Sequence, residues 1–217
     1  VSIAAIAHLM LPDSPYAMWA RGELDDYLHM PNDGTRVEVV GGEIVVSPAP
    51  VFSHAAILSD IQSAVVTAGV MDPAFPWAVV QTINLDLVDI GDGYIPDLVL
   101  LAKDTAARCR AEDRLFLSPG QLDLVVEVTS KSNAHNDREP VLGRRATKWS
   151  GYARCGIPYY LLVDRDPRRP GVTFFTEPDR VAGSYRANRT WKFGDPVNLP
   201  EPFGFEINTE LWRPWSD

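Results

Sequence analysis

Cysteine, lysine and long apolar runs are scarce in this chain. Cys109 and Cys155 are its only cysteines, and neither belongs to a CxxC or Cys/His cluster of metal-ligand spacing, which argues against a zinc site. Cys155, in an aromatic-rich stretch before Gly156, reads as a small buried hydrophobe. No uninterrupted apolar stretch approaches the ~20 residues needed to span a bilayer. The apolar opening Val1–Met10 lacks a basic start and an evident cleavage site, so a soluble, cytoplasmic protein without a membrane segment is expected. Asn188-Arg-Thr190 fits a glycosylation pattern, but without an export signal it is taken as chance. There is no GxSxG elbow and no Gly-rich phosphate loop, which leaves serine-hydrolase and nucleotide-hydrolase chemistry without support. Basic excess is missing too. The formal charge is −9, so any polyanion must be met by local cations. Those are mostly arginine, because Lys103, Lys131, Lys148 and Lys192 are the only lysines.

What the chain does have is 217 residues, 46% of them apolar, enough for one domain with a substantial core and no need of disulfides. Trp19, Leu24, Tyr27 and Leu28 predict a helix over 16–30, ended by Pro31-Asn-Asp-Gly34. Arg36–Val40 and Glu43–Ser47 flank Gly41-Gly42 at β-hairpin spacing. Ser53 is placed to cap a helix whose stripe is Ile57, Leu58, Ile61, Val65 and Val66, ending before Gly69. Strands are expected over 78–81, 83–87, 95–101, 122–128 and 159–164, with a short helix between 105 and 117 and a longer one from Pro140 to Cys155. After the turn-rich 166–171, short strands from Val172 to Glu206 read as a meander. The sum is an α+β fold with a mixed sheet flanked by helices, with a core over about 20–165 and a β-rich extension over 166–217.

Two strands carry acids where strands seldom do. Tyr94-Ile-Pro-Asp97-Leu-Val-Leu-Leu101 and Leu122-Asp-Leu-Val-Val-Glu127-Val-Thr-Ser130 each set one carboxylate in an apolar run. An ionised group buried without compensation costs several kcal/mol, so a cation between the two is the simplest answer. Alternation puts Asp97 with Val99, and Glu127 with Val125 and Thr129. If the strands are adjacent, both acids face one crevice and can hold Mg²⁺, a hard cation suited to carboxylate oxygen. Either acid alone reads as an ordinary strand-end carboxylate. Lys148 and Tyr152, four apart on the next helix, add an ammonium on one face.

With these pieces in order, the chain resembles the Uma-two family of restriction-endonuclease-like proteins in the PD-(D/E)xK nuclease superfamily. The resemblance rests on Arg36–Pro48, His54 opening a helix, Tyr94–Leu98, Asp123–Ser130, Lys148-Trp-Ser-Gly-Tyr152 and Gly156–Asp164. It implies a restriction-endonuclease-like central sheet, with Asp97 and Glu127 as the metal pair for Mg²⁺ or Mn²⁺. It also implies Glu38 as an additional acid and Lys148 in the superfamily lysine's role. Thr129 stands two after Glu127, where the general motif has lysine, so the lysine is relocated to the helix. Lys131 ranks lower, because four residues along a strand is ~13 Å. Asp137 reads as a loop acid, His54 as structural, and Tyr152 as packing with a locally satisfied hydroxyl. Trp191, Trp212 and Trp215 read as a packing or association surface, compatible with a homo-oligomer. The implied function is a metal-dependent endonuclease acting on nucleic acid, DNA first, and the alternative is an inactive nuclease-fold interaction module. Lys148→Ala is expected to lower turnover with little change in melting, and Lys131→Ala to be mild.

Overall fold

The computed structural model describes residues 10–141 and 146–216. Its architecture is α+β, built on two mixed sheets and a small third pair. The first sheet begins with β1 (Arg36–Val40) and β2 (Glu43–Ser47), and adds β4 (Asn84–Leu87), β5 (Asp92–Tyr94) and β7 (Phe116–Leu117) in the order β2-β1-β5-β4-β7. The hairpin forms as its sequence demands. Gly41 and Gly42 have φ +60° and +75°, the left-handed pair that a two-residue turn requires. Both amides donate to the buried Asp92 carboxylate.

The second sheet carries the site. It contains β3 (Trp77–Gln81), β6 (Leu98–Ala102), β8 (Leu124–Val128), β9 (Tyr159–Asp164), β10 (Gly171–Asp179) and β11 (Ser184–Trp191), in the order β11-β10-β9-β8-β6-β3. Strand β8 pairs antiparallel to β6 and parallel to β9. The meander expected after 171 is thus mainly one long hairpin that extends this sheet, joined by a separate pair, β12 (Val197–Asn198) with β13 (Glu206–Ile207).

Alternation sorts the second sheet's side chains onto two cores. Leu98, Leu100, Val126 and Val128 pack with Ile57, Leu58, Ile61 and Val65 of α3 (Phe52–Met71), and with Val197, Phe203 and Ile207 beyond β11. Helix α3 has the length and mean hydropathy of a membrane span, but this apolar stripe lies against the sheet. Val66, expected in the stripe, is exposed. On the other side, Val99 and Val125 face Val40, Leu85 and Tyr94 of the first sheet, with α6 (Lys148–Arg154) wedged between the sheets. Gly151 makes this wedge fit, because a Cβ there would stand 2.2 Å from the Tyr94 hydroxyl.

Several local expectations change. The helix predicted over 16–30 is two short ones, α1 (Pro15–Ala20) and α2 (Leu24–Tyr27), because Gly22 takes φ +71° and ends the first. They cover the outer face of the first sheet through Trp19, Val37 and Val39. Val51, not Ser53, stands at the N-cap position of α3 and makes no side-chain capping bond, and the helix runs through Gly69 to Met71. Between β6 and β7 lies α4 (Lys103–Ala111). The helix expected from Pro140 begins only at Lys148, after a Thr147–Ser150 capping box, while residues 142–145 of that expectation lie outside the described residues. Before it, α5 (Ala134–Asp137) leads the chain back toward the sheets.

Candidate active site

The two strand acids meet as their parity requires. The ladder of β6 and β8 ends on the pair Leu98 and Val126, and one step further stand Asp97 and Glu127. Both are buried, and both line a cavity of about 480 Å³ between the sheets. Glu38 shares its strand face with Val40, so it points into the same space. Asp97 accepts from the Val128 amide at 2.9 Å and from Arg36 Nη2 at 3.0 Å. Glu38 accepts from the Ile95 amide at 2.7 Å.

Lys148 closes the cluster. Its ammonium, 5% exposed, lies 2.7 Å from Glu38 Oε1 and 3.1 Å from Glu127 Oε1, with Asp137 Oδ1 at 4.0 Å. A lysine in the first turn of a helix is disfavoured by the helix dipole, and here the surrounding acids offset that cost. One turn on, Tyr152 donates to Glu127 Oε1 at 2.5 Å. Its hydroxyl is therefore not merely satisfied by packing, and it fixes the carboxylate that Lys148 pairs with. Thr129 is spent elsewhere: its hydroxyl donates to Asp164 and accepts from the Arg165 amide, tying β8 to β9. Lys131 is exposed and donates to the Ser216 carbonyl at 3.2 Å.

Three residues read differently from sequence belong to this cavity. Asp137 is a buried wall residue, because Arg138 is anchored by a two-pronged bond to Asp164 at 2.6 and 2.8 Å. His54, from the first turn of α3, is buried against the cavity and sets Nε2 3.2 Å from Asp97 Oδ2. Arg36 went unnoticed, although it is two residues before Glu38 and so on the same strand face. Trp215 also lines the cavity, while Trp212 is buried and donates to Asp60.

Charge is unevenly spread in the cavity. Glu38, Glu127 and Asp137 lie within 4.0 Å of the one Lys148 ammonium and Asp97 pairs with Arg36, while Lys131 and Arg165 also line the cavity. Burial would raise the Asp97 carboxyl, but His54, Arg36 and Lys148 hold it well below the usual range. Burial pushes Glu127 up to about 7, with Asp97 and Glu38 adding to the rise against the pull of Lys148. Asp137 is raised well above its ordinary value, again first by burial. Lys148 would be lowered by burial, but the acids around it keep it charged.

The sign of the pH effect follows. A folded-state carboxyl raised from 4.5 to about 7 favours folding below 4.5, and that contribution disappears as pH climbs through 7. In chelating buffer, melting temperature should therefore fall between about pH 5 and 8, with a shallower fall in Glu127→Gln. Equal slopes for the two proteins would remove Glu127 as the cause.

Carboxylate oxygens are hard donors of the kind a divalent cation such as Mg²⁺ takes. Among the described residues no three His, Cys, Asp or Glu side chains enclose a metal position by themselves. An ion on Asp97 and Glu127 would have to complete its shell with water and substrate, which Mg²⁺ does.

Comparison with known proteins agrees with the architecture. Residues 24–210 match the model of the Uma2 family, described as "Putative restriction endonuclease". Among solved structures, the fold is similar to one described as a putative nuclease belonging to DUF820, from Anabaena variabilis. The TM-score is 0.55 and the identity 17%, over 83% of this chain and 89% of that one. No curated protein matches.

Proposed function

This chain belongs to the Uma2 family of putative restriction endonucleases, and from that membership we propose that it hydrolyses phosphodiester bonds of nucleic acid, DNA first, using Mg²⁺ or Mn²⁺. The observation that carries the reading is the buried ammonium of Lys148 held between Glu38 and Glu127 beside Asp97. Asp97 and Glu127 would hold the cation, which when bound activates water and neutralises charge on the phosphate. The chain's own groups supply the rest. Lys148 is fixed on two carboxylates, so it can donate to the attacking water or to a phosphate oxygen with little reorganisation. Tyr152 keeps Glu127 oriented from behind. Arg36, paired with one oxygen of Asp97, adds positive charge to this wall, and His54 Nε2 lies 3.2 Å from the other oxygen.

Because the whole chain is acidic, binding has to rest on a few phosphate contacts at this cavity. Affinity for DNA should therefore fall with salt, with a log–log slope of about −0.7 to −0.9 for each phosphate neutralised. The −9 charge favours a second reading, in which the cluster is structural and the protein is an interaction module. Incubation with plasmid and single-stranded DNA, with Mg²⁺ or Mn²⁺ and with chelator controls, tests the proposal. Metal-dependent cleavage is expected. Neither cleavage nor binding at low and moderate salt would favour the interaction module.

A further inference from the structure

Among the described residues, one donor in the cavity wall lacks an acceptor. Arg36 Nε is buried and makes no hydrogen bond, whereas His54 Nε2 lies 3.2 Å from Asp97 Oδ2. Buried polar groups are nearly always paired, so an unpaired donor beside a cavity calls for an incoming acceptor. Its guanidinium already pairs with Asp97 through Nη2. A phosphate oxygen reaching this wall would satisfy the remaining Nε.

The mouth of the same cavity is aromatic and cationic. Trp215 is half-buried there, and its position is fixed by the chain: its amide donates to the Arg165 carbonyl at 3.0 Å. Arg165 in turn donates from Nε to the Arg213 carbonyl at 3.3 Å and from Nη2 to Ser53 Oγ at 2.7 Å, next to His54. Lys131 holds the following residue through the Ser216 carbonyl. The Trp215 backbone is thus tied through Arg165 to Ser53, beside the cavity wall. Its two sequence companions are used otherwise, since Trp212 packs against Phe193, and Trp191 lies under the Arg189 guanidinium.

Access sets the geometry of the substrate. Asp97 and Glu127 are 3% and 2% exposed, at the inner end of a cavity of about 480 Å³. That is the volume of a small-ligand pocket, not of a groove that admits a double helix. An unpaired strand can bend its backbone into a pocket of this size and leave its bases free to stack on protein. Base stacking on an aromatic ring is the sequence-tolerant contact used for unpaired strands.

Resting on the nuclease reading of this site, we infer that the substrate is an unpaired polynucleotide strand. One base stacks on Trp215, and the neighbouring phosphate accepts from Arg36 Nε. Trp215 is here a substrate-binding residue with no part in the cation's coordination. Thymidine and uridine oligomers share this chemistry and serve as its two probes.

The test measures the full chain by fluorescence anisotropy, with Ca²⁺ in place of Mg²⁺ to limit turnover. The probes are a 12-mer of thymidine, a 12-mer of uridine and a blunt 12-base-pair duplex. At least tenfold tighter binding of one single strand than of the duplex is expected. Trp215→Ala should weaken that binding by about 5- to 100-fold, the range for one stacked base, and Trp215→Phe should recover most of it with the same thermal melt. Wild-type affinity in Trp215→Ala, or tighter binding of the duplex, overturns the inference. A loss not restored by Phe, in a variant with a lowered melting temperature, also overturns it and makes Trp215 a structural clasp. If blunt linear duplex is cut by wild type and Trp215→Ala at equal rates, the nuclease reading survives and the unpaired-strand inference does not. If no probe is bound or cut, the nuclease reading itself falls.

Discussion

Lys148→Ala should be both inactive and markedly less stable. A surface lysine would leave melting almost unchanged, which is what the sequence suggested, but this ammonium is 5% exposed and lies within 3.1 Å of two carboxylates. Removing one member of a buried ion pair leaves the others uncompensated, typically at a cost of 3–5 kcal/mol, so about that loss is expected near neutral pH. It should shrink as pH falls, because protonation of Glu127 relieves the repulsion. Turnover should drop by about 10²–10³, the usual penalty for losing one preorganised charge or donor. The two effects separate in a double variant. Lys148→Ala/Glu38→Gln removes one of the stranded carboxylates, so it should regain much of the stability and none of the activity. Chemical denaturation and initial cleavage rates on the same preparations check both. A Lys148→Ala protein that melts like wild type would mean that the ammonium is not holding this cluster.

The contrast with the sequence expectation shows which part of the site alternation can reveal. Strand parity set Asp97 and Glu127 on one face, and the ladder brings them side by side. The i, i+4 spacing set Lys148 and Tyr152 on one helix face, and both donate to Glu127, although Tyr152 had read as packing with a locally satisfied hydroxyl. Arg36 was legible by the same rule, being two residues from Glu38, but it was hidden among sixteen arginines in an acidic chain. Other members depend on contacts across long sequence separations. Asp137 enters the cluster because Arg138 is fastened to Asp164, and Trp215 reaches the mouth because the chain beyond β13 returns to Arg165. No local pattern encodes either. Short-range chemistry misled in two places. Gly22 splits a periodic stretch into α1 and α2, and Ser53, a good cap by type, instead accepts from Arg165.

Mg²⁺ should stabilise the wild-type protein by a route that needs no turnover. With one Lys148 ammonium shared among Glu38, Glu127 and Asp137, a divalent ion on Asp97 and Glu127 would lessen the repulsion among the buried carboxylates. Binding to the folded state alone adds about 2.7 kcal/mol at a hundred times Kd. For a chain of this size that is on the order of 5–10 °C in melting temperature. The cation should also flatten the fall in stability above pH 5 predicted for chelating buffer, because it favours the ionised form of Glu127 whose burial raises its pKa to about 7. Asp97→Asn and Glu127→Gln should each lose the Mg²⁺ shift together with cleavage. Tyr152→Phe should keep most of the shift, since the phenol orients Glu127 without carrying charge. Differential scanning calorimetry with and without Mg²⁺ at pH 6 and pH 8 reads all four proteins. A shift of wild-type size in Asp97→Asn would move the cation elsewhere and take the proposed mechanism with it.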